Sequence, residues 1–236
     1  MRTINNNPFA IFPNIAPMDM EQLNNWEQRF TAWWHQRPVD DGAHDLAHFR
    51  RVWHAAKCIA SLETEPADLF TLLTAAYFHD LVSLPKNHPE RSQSSWYSAE
   101  KTEEVLKTDF PDFPMGKLPC VKHAIHAHSF SAQVTPTTVE AKILQDADRM
   151  EALGAIGIAR TFYVSGQMNR AMFHPDDPLA ESRPLDDLTY ALDHFQVKLF
   201  KLPDLMNTAA GKQMAVDKVA FVREFMIRMA AEAQGV

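Results

Sequence analysis

Glycine is scarce in this chain, at 7 of 236 residues, and cysteine scarcer still, at 2. Few glycines suit few tight turns, and no alternation of strand and turn stands out. Cys58 and Cys120 show neither a CxxC spacing nor the density of a disulfide framework, which excludes a cysteine-stapled scaffold. No run of about 18 uncharged apolar residues occurs, so no membrane span is expected. The first twenty residues, MRTINNNPFAIFPNIAPMDM, are broken by proline and asparagine and lack the apolar stretch of a secretory signal. A cytoplasmic protein is the expectation. An excess of positive charge is also missing, since the formal net charge is -7. That argues against a nucleic-acid polymer as partner, because binding a phosphate backbone needs a clustered basic surface. A small phosphorylated substrate stays open, as a few local cations suffice for it.

What is present is an ordinary globular composition, 46 % hydrophobic and 22 % charged, in a chain long enough for one large domain. Residues 1–17 read as an N-terminal arm and 18–236 as a single all-α domain. Apolar residues recur at three- and four-residue steps over most of it. Asp19 with Gln22 makes a capping pair for a helix reaching about Gln36. Leu46, Phe49, Val52, Trp53, Ala56 and Ile59 define a second helix, Asp45 to Leu62. A third, from Pro66 to about Leu81, is apolar on nearly every side and reads as the buried central helix. Further helices are expected at Ser92–Lys107, at Leu118–His128, from Pro136 toward Leu153, at Asp186–Leu202 and at Lys212–Glu232. Gly154 and Gly157 have the spacing of a close helix contact.

Histidine is plentiful, with eleven in all, and several fall in short clusters, as metal sites require. Three segments combine His and Asp: HDLAHFRRV with His44, Asp45 and His48; the pair His79–Asp80 at the end of the apolar helix; and LQDADRM with Asp146 and Asp148. An imidazole and a carboxylate buried at the end of an apolar helix need a compensating partner. A divalent cation serves both at once, and a plain His–Asp hydrogen bond is the alternative. Asp146 and Asp148 lie roughly 200° apart around a helix, so only one can face a given site. The other would be a solvated, capping or anchoring carboxylate.

The ordered set of His48 with Arg51–Val52, then His79–Asp80, then Ala147-Asp148-Arg149-Met150, resembles the HD-domain superfamily, whose metal motif reads H…HD…D across separate helices. The longer blocks LPKNxPER, HSFSA, ILQDADRMEALGAIGIARTFY and DHFQVKLFKL look like its bacterial YedJ/YpgQ-type branch, from about Asp41 to Ala230. The resemblance implies an HD-domain helical bundle and a metal-dependent phosphohydrolase. Its metal ligands would be His48, His79, Asp80 and Asp148, with Asp148 rather than Asp146 in the third motif. Two imidazoles and two carboxylates suit one manganese, magnesium, cobalt, nickel or iron ion with open positions. Such an ion lowers the pKa of bound water for attack on phosphorus, with Asp80 as ligand and proton acceptor.

In binuclear relatives two further histidines hold a second metal. His128 matches one of them, but the other position falls in SerSerTrpTyrSer, which favours a single ion. His128 is therefore read as a substrate or outer-sphere residue, with Lys86, Arg91 and Arg149 as phosphate contacts; Arg149 has Glu151 or Asp146 as alternative partners. Asp45 either supports a ligand imidazole or simply caps its helix. His123, His126 and His194 are weaker candidates.

The implied reaction is hydrolysis of a nucleotide, from nucleoside triphosphate to monophosphate and pyrophosphate. A 5′-nucleotidase or guanosine tetraphosphate hydrolase would use the same motif. A di-iron oxygenase would need the missing second histidine, and a non-catalytic nucleotide or metal sensor would keep the site for binding.

Overall fold

The computed structural model describes residues 19–37, 45–84 and 88–235. The arm at 1–17, His44 and Lys86 lie outside these. Among the described residues nine α-helices follow one another: α1 (Met20–His35), α2 (Leu46–Leu62), α3 (Leu69–Phe78), α4 (Ser94–Asp109), α5 (Leu118–His128), α6 (Val139–Met150), α7 (Gly154–Gln167), α8 (Asp193–Val197) and α9 (Ala209–Ala233). The described residues form no strand, only an isolated bridge between Ala171 and Tyr190. The fold is the all-α helical bundle expected.

Nine of the ten residues of α3, Phe70 to Phe78, are buried. A helix apolar on all sides must be enclosed, and α1, α2, α4, α5 and α6 all pack against this one. The enclosing layer is rich in rings. Phe30 meets Phe78 edge-on at 5.0 Å, and Trp34 lies 4.7 Å from Phe49. Buried indoles find acceptors, as they must: Trp34 Nε1 donates to the Tyr77 carbonyl and Trp53 Nε1 to Glu27. A second apolar cluster joins α7, α8 and α9 through Leu153, Ile158, Leu192, Phe195, Val219 and Val222.

Of the helix boundaries that differ from expectation, three have a clear local cause. Helix α3 begins at Leu69 rather than Pro66, because the Asp68 carboxylate caps the Phe70 amide and so sets the first turn. Helix α6 ends at Met150, short of Leu153, and α7 starts at once from Gly154, whose φ of +68° reverses the chain at no side-chain cost. The second glycine of the pair serves the same corner. A Cβ on Gly157 would collide with the carbonyl group of Ala152, so the GxxG spacing closes a turn within the chain. The third difference is at Asp186–Leu202. Only Asp193–Val197 is α-helical there, followed by a 3₁₀ stretch, Leu199–Leu205. The buried Asp193 carboxylate accepts from the Asp186 amide and from a two-pronged Arg183, which holds the preceding segment as a turn.

Candidate metal centre

Helices α2, α3, α5 and α6 meet at one end of the core, and each delivers a side chain there. His48 sits in the first turn of α2, which Asp45 caps by accepting the His48 amide at 2.8 Å. His79 terminates α3 and Asp80 follows in the turn. His128 closes α5, and Asp148 occupies the last turn of α6.

The ligating atoms converge. His48 Nε2 and His79 Nε2 are 3.2 Å apart. Asp148 Oδ1 lies 3.6 Å from the first and 3.7 Å from the second. Asp80 Oδ2 lies 3.5 Å from His79 Nε2 and 4.0 Å from His48 Nε2, while its Oδ1 faces His128 Nε2 at 3.4 Å. Two triads, His48–His79–Asp80 and His79–His128–Asp148, each keep their ligating atoms within 4.8 Å of one another. His48 and His79 are essentially sealed from solvent, at 1 % and 0 % exposure, whereas the Asp148 side chain keeps 29 %. One side of the cluster is therefore open to a substrate.

The far ring nitrogens explain why the near ones converge. Nδ1 of His79 donates to the Ala76 carbonyl at 3.0 Å, and Nδ1 of His128 to the Ile125 carbonyl at 2.6 Å. A hydrogen on Nδ1 leaves Nε2 bare and aimed at the centre. Two such nitrogens 3.2 Å apart need a proton or a metal ion between them, and with the Asp80 and Asp148 carboxylates beside them this donor set fits a divalent metal. Its electrostatics agree. Burial lowers the proton affinity of His79, yet the Asp80 and Asp148 carboxylates more than reverse this and raise its pKa to about 9. For Asp148 burial works upward, but the three neighbouring histidines hold its carboxyl well below the ordinary carboxylate range. His48 goes the other way, lowered chiefly by burial. The cluster thus favours one added positive charge.

The two aspartates of DAD separate as helix geometry requires. Asp148 faces the histidines, and Asp146 points to the opposite side, fully buried. There it accepts from the amides of Asn207 and Thr208 and from both their side chains, at 2.8–3.0 Å. It anchors the start of α9.

Other expected site residues lie further out. Asp45 acts as a helix cap, one of the two roles open to it, and the His48 ring turns instead to Glu151, at 3.3 Å. Arg91 donates to the Leu84 carbonyl and lies 3.4 Å from Ser83 Oγ, tying down the loop after Asp80. Arg149 donates to the Leu205 carbonyl rather than to Glu151 or Asp146. The serines that stand where a binuclear site would need a further histidine bond the backbone instead. Ser94 and Ser98 bind that of Leu84 and Val82, and Ser95 donates to the carbonyl of His126. His123 accepts from Thr137, and His194 pairs with Asp187. The sequence offers Glu151 only as an alternative partner for Arg149, although its position three residues after Asp148 is a usable signal for a place beside the site.

A cluster of two histidines and two aspartates, drawn from separate helices in this order, defines the HD class of hydrolase. The HD domain model matches residues 45–153, which carry every residue of the cluster. The chain belongs to the HD-domain family and is a phosphohydrolase of that superfamily. It is similar to the uncharacterized protein YpgQ of Bacillus subtilis, 31 % identical over 222 residues, covering 92 % of this chain and 94 % of that one. The solved structure of YpgQ in complex with ADP superposes with a TM-score of 0.60 at 27 % identity, over 90 % of this chain and 93 % of the other. An HD-superfamily hydrolase from Bacillus thuringiensis gives 0.66 at 28 %, over 92 % and 98 %. A protein from Listeria innocua gives 0.66 at 30 %, over 93 % and 99 %. No described helix is long and apolar enough to cross a membrane.

Proposed function

We propose that this chain hydrolyses the phosphoanhydride of a nucleotide, converting a nucleoside triphosphate to monophosphate and pyrophosphate. The observation that carries this reading is the convergence of His48, His79, Asp80 and Asp148 on one point with a partly open side. ADP in the similar YpgQ structure supports a nucleotide as ligand.

His48, His79, Asp80 and Asp148 would hold one divalent ion, manganese, magnesium, cobalt, nickel or iron. When bound, it lowers the pKa of water and offsets charge on a phosphoryl oxygen. Asp80 is placed to act twice, since one carboxylate oxygen faces the ligand histidines and the other faces His128. It accepts the proton of the attacking water. His128, anchored through Nδ1, would steady the leaving group in the form that carries a hydrogen on Nε2 as well. Lys86, six residues after Asp80 in the sequence, would supply a further cation. Arg91 and Arg149 would contribute by exchanging the backbone carbonyls of Leu84 and Leu205 for a phosphate oxygen.

The test is product identification. Metal-loaded protein is incubated with nucleoside tri-, di- and monophosphates, and the released group is analysed. Pyrophosphate from triphosphates is expected, absent in Asp80→Ala. Orthophosphate from monophosphates would move the assignment to a nucleotidase.

A further inference from the structure

Arg51 and Glu151 are not used in the reaction outlined above, yet they close around the same imidazole. His48 and Arg51 are three apart on α2, and Asp148 and Glu151 three apart at the end of α6. Residues at that spacing share a helix face, so one turn of each helix meets one turn of the other. The contacts are reciprocal. Asp148 Oδ1 lies 3.6 Å from His48 Nε2, and Glu151 Oε2 lies 3.3 Å from Nδ1 of the same ring. Arg51 then grips Glu151 through two nitrogens, at 2.8 and 2.7 Å.

His48 needs such a partner more than its neighbours do. His79 and His128 each send Nδ1 to the carbonyl three residues back on their own helix. For His48 the residue three back is the capping Asp45, outside the helix, and Nδ1 reaches a carboxylate from α6 instead. That carboxylate is nearly buried, at 11 % exposure, while Arg51 at 38 % stands between it and solvent.

We infer that Glu151, held in place by Arg51, is a positioning residue that fixes His48 as the Nδ1–H tautomer and so aims its Nε2 lone pair at the metal. This rests on the metal-centre reading above. Outer partners of ligand histidines typically govern metal affinity by about 10–100-fold.

The test compares wild type with Glu151→Gln, which keeps the shape, and with Arg51→Ala, which frees the carboxylate. Long-range ¹⁵N–¹H NMR of the metal-free proteins reads the His48 tautomer, and titration with Mn²⁺ alone reads affinity. We expect Glu151→Gln to weaken Mn²⁺ binding about 10–100-fold and to lose the pure Nδ1–H signature, with its melting temperature little changed. Arg51→Ala should show a smaller shift in the same direction. A folded Glu151→Gln protein with the wild-type tautomer and wild-type Mn²⁺ affinity would overturn the assignment. The tautomer needs no metal. A shifted tautomer with no Mn²⁺ bound even by wild type would therefore sink the metal reading while sustaining the link from Glu151 to His48.

Discussion

Burial alone would drive the proton off His79, and two carboxylates hold it on. The residue is fully enclosed, yet Asp80 and Asp148 raise its pKa from 6.5 to about 9. In the unfolded chain the group titrates near its ordinary value. A folded-state pKa above the unfolded one stabilises the protein at pH values below the unfolded pKa, and that stabilisation fades as pH rises through the folded value. The window for His79 therefore runs from about 6.5 to about 9. Thermal melts of chelator-treated protein should show a falling midpoint across it, and Asp80→Asn should flatten the fall by removing one of the two charges. A midpoint independent of pH through this window would show that the imidazole is neutral throughout. The residues of the cluster are legible in the sequence, since H…HD…D is an ordered pattern of residue types. Glu151 is harder to read because its role depends on where α2 and α6 cross.

At the scale of elements, α6 is the helix on which both the site and the rest of the chain depend. One turn presents Asp148 to the histidines, and the opposite face presents Asp146 to the start of α9. Asp146 is fully buried, and burial raises its pKa against the pull of its hydrogen bonds. Removing a buried carboxylate would leave the amides of Asn207 and Thr208 without their acceptor, at a cost of roughly 1–3 kcal/mol for each unsatisfied group. Asp146→Ala should thus lower thermal stability by several degrees, whereas Asp148→Ala should leave the melting temperature of metal-free protein nearly intact above about pH 9, where His79 has lost the charge that Asp148 partners. Calorimetry on the two variants distinguishes them, and the reverse order would mean that the assignment within DAD is inverted. Helix periodicity alone implies that the two aspartates diverge. Which one anchors α9 needs the structure, because Asn207 and Thr208 are remote from DAD in the sequence. The same holds for Asp186–Leu202, whose amphipathic spacing suggests a helix. The Asp193 carboxylate, however, takes the Asp186 amide and the Arg183 guanidinium and holds a turn.

For the molecule as a whole, one end of the helical core brings candidate ligands from separate helices to one point. The apolar α3, closed in by its neighbours, carries His79 and Asp80 to the rim of the core. The periodicity of the chain makes this layout readable, since a helix apolar on every face has to be central. Lys86 and residues 1–17 lie outside the described residues. On the function proposed above, His48, His79, Asp80 and Asp148 hold one divalent ion on which hydrolysis depends. This is tested most directly by measuring the metal bound per chain after reconstitution with manganese and desalting, for wild type and for Asp148→Ala of matched helical content. About one equivalent in wild type, lost in the variant together with turnover, is the expected result. Equal manganese content in the two proteins would contradict the account.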